Sequence, residues 1–236
     1  MVINRGDTFF IKRCEGDVKG KGDLMDDSKK KFLKPKVKVF VSAVEKNQRE
    51  WCYVYKIYSM CIADVRKQRI ETIDEDFIKG PVRTFLVNWG SMGRVVGRDR
   101  NWCGKLCGKL KKHSDRLEKF RKKFLENENI ENSQEGIMTI YSDIRKIVKP
   151  TSASKVLHLI CPDFFPIWDE NIRKKAAQAK GRNSGLNKEE KGYYEFMKVV
   201  KDFLGEYCKE INQLKGDSDK SKLHYVDQYL WSVANK

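Results

Sequence analysis

Apolar residues recur at three- and four-residue spacing through most of this chain, and that period decides what it can fold into. Ile137, Ile140, Tyr141, Ile144, Ile147 and Val148 form one such stripe, and Tyr193, Phe196, Met197, Val200, Leu204, Tyr207, Ile211 and Leu214 form another over six turns. Asp74–Trp89 and Trp102–Leu125 read as further helices, the first ended by Gly90 and Gly93. Strand-like alternation is scarce after residue 45, and no repeat of solenoid period is present. The expectation is a mainly helical fold of about eight helices, built as one large domain or as two lobes sharing a core. With 40% hydrophobic residues and five tryptophans among 236 residues, a packed core is expected.

The first 44 residues read differently. Asp7–Arg13 has the pattern of a short strand, and Gly16–Ser28 reads as loop. Six lysines follow in the ten residues Lys29–Lys38, a like-charge run expected to be a solvated segment or an arm that touches nucleic acid. The division expected is a basic, irregular segment 1–44 and a helical domain 45–236.

Charge points to a partner. Forty-nine basic and 33 acidic residues leave a net charge of +16, and the isoelectric point is near 9.5. Such an excess favours a polyanion, with nucleic acid first. An acidic membrane surface comes second, because there is no basic amphipathic terminus or lipidation motif. Solvated faces that bind nothing would give the same composition. Lys105–Lys123 carries nine basic and two acidic residues. Arg145, Lys146, Lys149 and Lys155 lie in an eleven-residue stretch with no acid, across a helix end, a turn and a helix start, where backbone N–H groups and cations meet as they do in phosphate sites. The amino terminus lacks the cationic and apolar blocks of a signal peptide, and no run of about 18 apolar residues suggests a membrane span, so an intracellular protein (cytoplasm or nucleoid) is expected. Seven cysteines at irregular spacing and three histidines in no ligand pattern suggest reduced thiols and no metal or other cofactor. Cys103 and Cys107, four apart, fit one helix face.

The segment Tyr141–Ala176 carries the chemistry. Pro150 ends a helix near Lys149, and Thr151, Ser152 and Ser154 are suited to cap the next one. Lys155 then falls in the first turn of a helix that Val156, Leu157, Leu159 and Ile160 make apolar nearly all round, hence buried. A lysine at a buried helix start beside other cations should have a depressed pKa, and a neutral amine is a nucleophile able to form a Schiff base. Asp169 follows fourteen residues later, across a turn after Pro162 and a hydrophobic connector, where it could face the amine or simply cap the helix Glu170–Lys180. Taken singly, Lys155 reads as a phosphate contact and His158 and His224 as packing residues. Trp89 is an aromatic candidate for a ligand pocket, although core is the simpler reading. In the final helix His224, Asp227 and Trp231 form a polar-aromatic stripe beside Leu223, Val226, Leu230 and Val233.

The order of helix, tight turn, Ser-Lys-Val, apolar helix, Pro-Ile-Trp-Asp and helix resembles the helix-hairpin-helix superfamily of DNA glycosylases, over about residues 137–176. The resemblance implies a two-lobed helical bundle with the helix-hairpin-helix at about 137–161. Lys155 then matches the lysine nucleophile of the bifunctional members, and Asp169 the catalytic aspartate. The tail LHYVDQYLW is similar to the end of the archaeal 8-oxoguanine glycosylase branch, which implies a damaged-base pocket made by Asp227 and Trp231; Trp89 is a separate aromatic candidate for that pocket. Thr151, Ser152, Ser154, Lys149 and Arg173 are then expected to hold the DNA backbone. The hairpin departs from the family's glycine-rich turn and reads Pro150-Thr151-Ser152-Ala153-Ser154. The function so implied is excision of an oxidised base, 8-oxoguanine first, from double-stranded DNA by a monomeric enzyme with lyase activity. Two other classes are open: a non-catalytic helix-hairpin-helix module that only grips nucleic acid, and an interaction protein whose charge is incidental.

Overall fold

The computed structural model describes residues 32–89, 101–180, 185–186, 189–215 and 220–235. The expected strand at Asp7–Arg13, Lys29–Lys31 of the lysine run, Cys14, Gly90 and Gly93 lie outside them. The protein is mainly helical, as the apolar period requires.

Helix α1 (Val37–Glu50) and α2 (Cys52–Arg66) are followed by a one-turn α3 (Glu75–Phe77), a π-helical turn (Ile78–Val82) and α4 (Arg83–Asn88). The carboxylate of Asp74 accepts from the Phe77 N–H at 2.8 Å and starts this run. Pro81 lies within the π turn, where its missing N–H interrupts the α-helical ladder. Next come α5 (Trp102–Lys112), α6 (Ser114–Arg121), α7 (Gln134–Val148), α8 (Pro150–Ile160), α9 (Glu170–Lys180), α10 (Glu190–Glu206), α11 (Cys208–Lys215) and α12 (Lys222–Ala234). One contiguous apolar core joins them. The last helix packs on the first described one, α10 and α5 pack on α7, and α8 lies between α7, α2 and α4.

Three expectations change. The boundary at residue 45 falls inside α1: Phe32, Phe40 and Val44 are core residues, and Tyr229 donates from its hydroxyl to the Phe32 carbonyl. The folded unit therefore starts before residue 45. The helix expected over Trp102–Leu125 breaks at His113, whose ring nitrogen meets Asp143 at 3.0 Å, and the long helix beginning at Tyr193 breaks at Tyr207, whose hydroxyl donates to the Pro35 carbonyl at 2.7 Å. In both, a tertiary partner outweighs the local period. The third change concerns the turn between α7 and α8. No side chain caps α8. Pro150 is its first residue, where a fixed φ and a missing N–H cost nothing, and Lys149 makes the turn with φ 68° and ψ 166°. That backbone region is essentially reserved for glycine.

Candidate active site

Lys155 is the sixth residue of α8, in its second turn rather than its first. Val156, Leu157, Leu159 and Ile160 are fully buried around it, and Lys155 itself is only 3% exposed. Its Nζ donates to the carbonyl of Trp89 at 2.5 Å. Burial depresses the pKa of the amine, while the carboxylates of Asp169 and Asp227 pull it upward. A neutral amine keeps N–H groups for the Trp89 carbonyl and leaves its lone pair unused.

Two fastenings fold the connector after α8 back onto that helix. The His158 ring meets the Phe165 carbonyl at 2.8 Å through Nδ1 and the Tyr58 hydroxyl at 2.9 Å through Nε2. A carbonyl only accepts, so the proton sits on Nδ1 and Tyr58 donates to Nε2. Burial holds this imidazole neutral, with its pKa lowered to about 4. Further along, Ser154 Oγ accepts from the Trp168 N–H at 2.9 Å and donates to the Thr151 carbonyl at 2.9 Å. These bonds set Asp169, one residue beyond Trp168, within electrostatic reach of Lys155. Asp169 also accepts from the Asn171 N–H at 2.8 Å at the start of α9. Helix cap and charge partner are therefore one side chain.

Asp227 enters from α12 and is buried at 7% exposure. Burial pushes its carboxyl up to about 7, against the opposing pull of the Lys155 charge. Lysine and acid thus lie within electrostatic reach of each other in a dry setting that favours the neutral form of each.

A cluster of aromatic rings adjoins this pair at Trp89, whose carbonyl holds the amine. The Trp89 indole packs on Tyr58, Tyr55, Phe85 and His224, with ring centroids 4.9, 5.4, 5.6 and 5.8 Å away. His224 stacks on Tyr58 at 4.5 Å, so it packs as expected, yet it also closes a polar chain. Gln48 donates to Gln228 Oε1 at 3.3 Å, and the Gln228 amide nitrogen lies 2.8 Å from His224 Nε2. Trp231 is half-buried and meets Trp51 edge-on at 5.2 Å, and the Tyr55 hydroxyl donates to Asn47. The sequence reasoning missed Trp51, Tyr55, Tyr58, Gln48 and Gln228. The one available signal was the helical spacing of Tyr55, Tyr58 and Ile62, which reads equally well as core.

The expected backbone-binding residues separate. Lys149 is exposed and Thr151 half-buried at the α7–α8 turn, where α8 geometry leaves the Thr151 and Ser152 N–H groups without an intrahelical carbonyl. The hydroxyls of Ser152 and Ser154 do not fit that role, because both side chains are fully buried and Ser154 fastens the connector. Arg173 pairs with Glu170 at 3.8 Å, and Lys175 donates to the Val233 carbonyl at 2.8 Å, tying α9 to α12. The basic stretch Lys105–Lys123 is also partly structural. Lys109, Lys112 and His113 converge on Asp143. Burial raises the Asp143 carboxyl, but the hydrogen bonds from these three outweigh it and hold its pKa at about 2. Arg121 donates to the carbonyls of Ile160, Gln68 and Val65, leaving Lys111, Arg116, Lys119 and Lys122 as exposed cations of the stretch.

Among the described residues no group of three or more His, Cys, Asp or Glu side chains could hold a metal ion, and no helix is long and apolar enough to cross a membrane. Cys103 and Cys107 are buried, and burial raises both thiol pKa values. No family model matches this chain, and no curated protein or solved structure matches it.

Proposed function

We propose that this protein is a DNA repair glycosylase with lyase activity, taking an oxidised base, most simply 8-oxoguanine, from duplex DNA through a lysine Schiff base. One observation carries the reading: a buried amine with a depressed pKa, within electrostatic reach of two carboxylates and held by the backbone of a tryptophan that sits in a cluster of aromatic rings. The net charge of +16, the cations beside the α7–α8 turn and the two N–H groups at the start of α8 support phosphate binding. That helix pair is the part of the chain that resembles a helix-hairpin-helix.

In this mechanism a damaged nucleotide is extruded from the helix. The lone pair of Lys155 Nζ bonds to C1′ of the deoxyribose as the glycosidic bond breaks. The base leaves with the electron pair of the glycosidic bond and takes up the proton that the amine sheds, while Asp169 stabilises the positive charge developing on the sugar. Opening of the sugar ring gives an imine between C1′ and Nζ. Loss of a C2′ proton then expels the 3′ phosphate and nicks the strand. Asp227 and Trp231 border the space in which the base would lie.

The test is incubation with lesion-bearing duplexes (8-oxoguanine, uracil, thymine glycol, abasic) and borohydride, read on a denaturing gel. A covalent adduct is expected from the parent and none from Lys155→Gln, with DNA binding retained in both. Salt-sensitive binding of undamaged duplex with no adduct would instead establish the non-catalytic module.

A further inference from the structure

Trp89 does two things at once at the end of α4. Its carbonyl receives the Lys155 amine at 2.5 Å, and its indole fills a space walled by Tyr55, Tyr58, Phe85 and His224. While that contact stands, nothing from outside can approach the amine from the side the indole occupies, and Lys155 is 3% exposed. A residue serving only as a platform for a stacked ligand would leave its face open. This one has rings packed around it.

A second, independent observation lies on the wall. Gln48 donates to Gln228 Oε1 at 3.3 Å, and the Gln228 amide nitrogen faces the His224 ring. The amide nitrogen therefore donates to His224 Nε2 at 2.8 Å. His224 is fully buried, and burial keeps its imidazole neutral. Its one proton then sits on Nδ1, and this N–H has no hydrogen-bond partner among the described residues. A buried donor without an acceptor is costly. An indole ring offers no lone pair in its plane, whereas a bicyclic ring of the same size carrying nitrogens or an oxo group does. A route for exchange is also present. Trp89 ends a six-residue helix whose only lead-in is the π-helical turn Ile78–Val82 around Pro81, the kind of irregular turn that absorbs a change of direction.

We propose that Trp89 is an internal plug: in the free protein its indole occupies the ring site and its carbonyl restrains the Lys155 amine, and a flat bicyclic heteroaromatic ring displaces it by a pivot at Ile78–Val82. The identification of that ring with an extruded base rests on the function proposed above; the plug itself does not. The His224 Nδ1–H is then the donor that reads an acceptor atom on the incoming ring.

The test needs no DNA. Lysines are reductively methylated with formaldehyde and cyanoborohydride in the full chain, and labelling is mapped by mass spectrometry. In the parent, Lys155 should label at least tenfold more slowly than the exposed Lys149. Trp89→Ala should speed Lys155 labelling by about tenfold with Lys149 unchanged, and millimolar indole or purine should restore the protection, as small rings refill an engineered cavity. Trp89→Phe, which keeps an aromatic anchor in case the alanine variant does not fold, should label faster than the parent. Folded variants that protect Lys155 as well as the parent, or a parent in which Lys155 labels like Lys149, would overturn the plug. On a lesion-bearing duplex Trp89→Phe should form the borohydride adduct faster than the parent, whereas slower trapping would mark Trp89 as a platform and sink the plug while sparing the Lys155 chemistry. Faster labelling with no adduct from any protein would leave the plug standing and remove the repair reading.

Discussion

Replacing Lys149 by glycine should stabilise the fold by about 1 kcal/mol, although it removes a side chain from a proposed DNA-binding turn. Lys149 holds φ 68° and ψ 166° and is the only non-glycine residue with positive φ among the described residues. A β-carbon in that region costs about 1–3 kcal/mol. Glycine removes this strain but loses more backbone entropy on folding, roughly 0.5–1 kcal/mol. The difference is a net gain of about 1 kcal/mol, or a rise in Tm of roughly 2–4 °C for a chain of this size. The Lys149 side chain is exposed and has no ion pair to lose among the described residues. Calorimetry and urea unfolding measure the change, with Lys149→Ala as the control that removes the charge and keeps the strain. The same glycine variant should bind duplex DNA more weakly, with a salt slope smaller by about 1 if Lys149 meets a phosphate. A glycine variant less stable than Lys149→Ala would refute the strain argument.

Four other outcomes follow from the same geometry. Lys155→Met should leave stability unchanged or slightly raised, because an apolar chain replaces a buried amine, while adduct formation is abolished; unfolding of this variant would show that the amine is structural. Asp169→Asn should keep the fold, since asparagine also caps helices, and slow base release; normal release would reduce Asp169 to a cap. Adduct formation should rise with pH as Lys155 loses its proton, and Asp227→Asn should move the midpoint down, because the carboxylate it removes favours protonation of Lys155; an unmoved midpoint would separate the two groups. The His158 pKa falls from 6.5 to about 4 on folding, so below pH 6.5 the unfolded chain takes up the proton first, and as pH falls toward 4 about 3 kcal/mol of stability is lost. Urea unfolding from pH 7 to pH 4 should show at least that loss, because buried His224 adds to it with the same sign, and His158→Asn should lessen the loss by about the His158 share.

How far the residues announced this arrangement depends on how local each cause is. The burial of Lys155 was legible because four apolar neighbours leave α8 no polar face. The α7–α8 break was legible at Pro150, but not its form: serine and threonine suggested caps, whereas proline took the first helical position and pushed the turn onto Lys149. The breaks at His113 and Tyr207 depend on Asp143 and on the Pro35 carbonyl, both distant in sequence, so an unbroken apolar period concealed them. Asp227 stood out as the one acid of the final helix, beside an apolar stripe. The ring wall did not, because Tyr55 and Tyr58 lie about a hundred residues before Lys155, and their spacing is that of ordinary core. Ser152 and Ser154 were misjudged for the same reason: a hydroxyl at a helix start looks alike in sequence whether it faces solvent or a neighbouring strand of chain.

The most direct measurement is to digest the borohydride-reduced adduct formed on an 8-oxoguanine or abasic duplex and locate the modified residue by mass spectrometry. The mechanism proposed here predicts the sugar remnant on the peptide that contains Lys155. A remnant on any other lysine, or no adduct on either duplex, would contradict it.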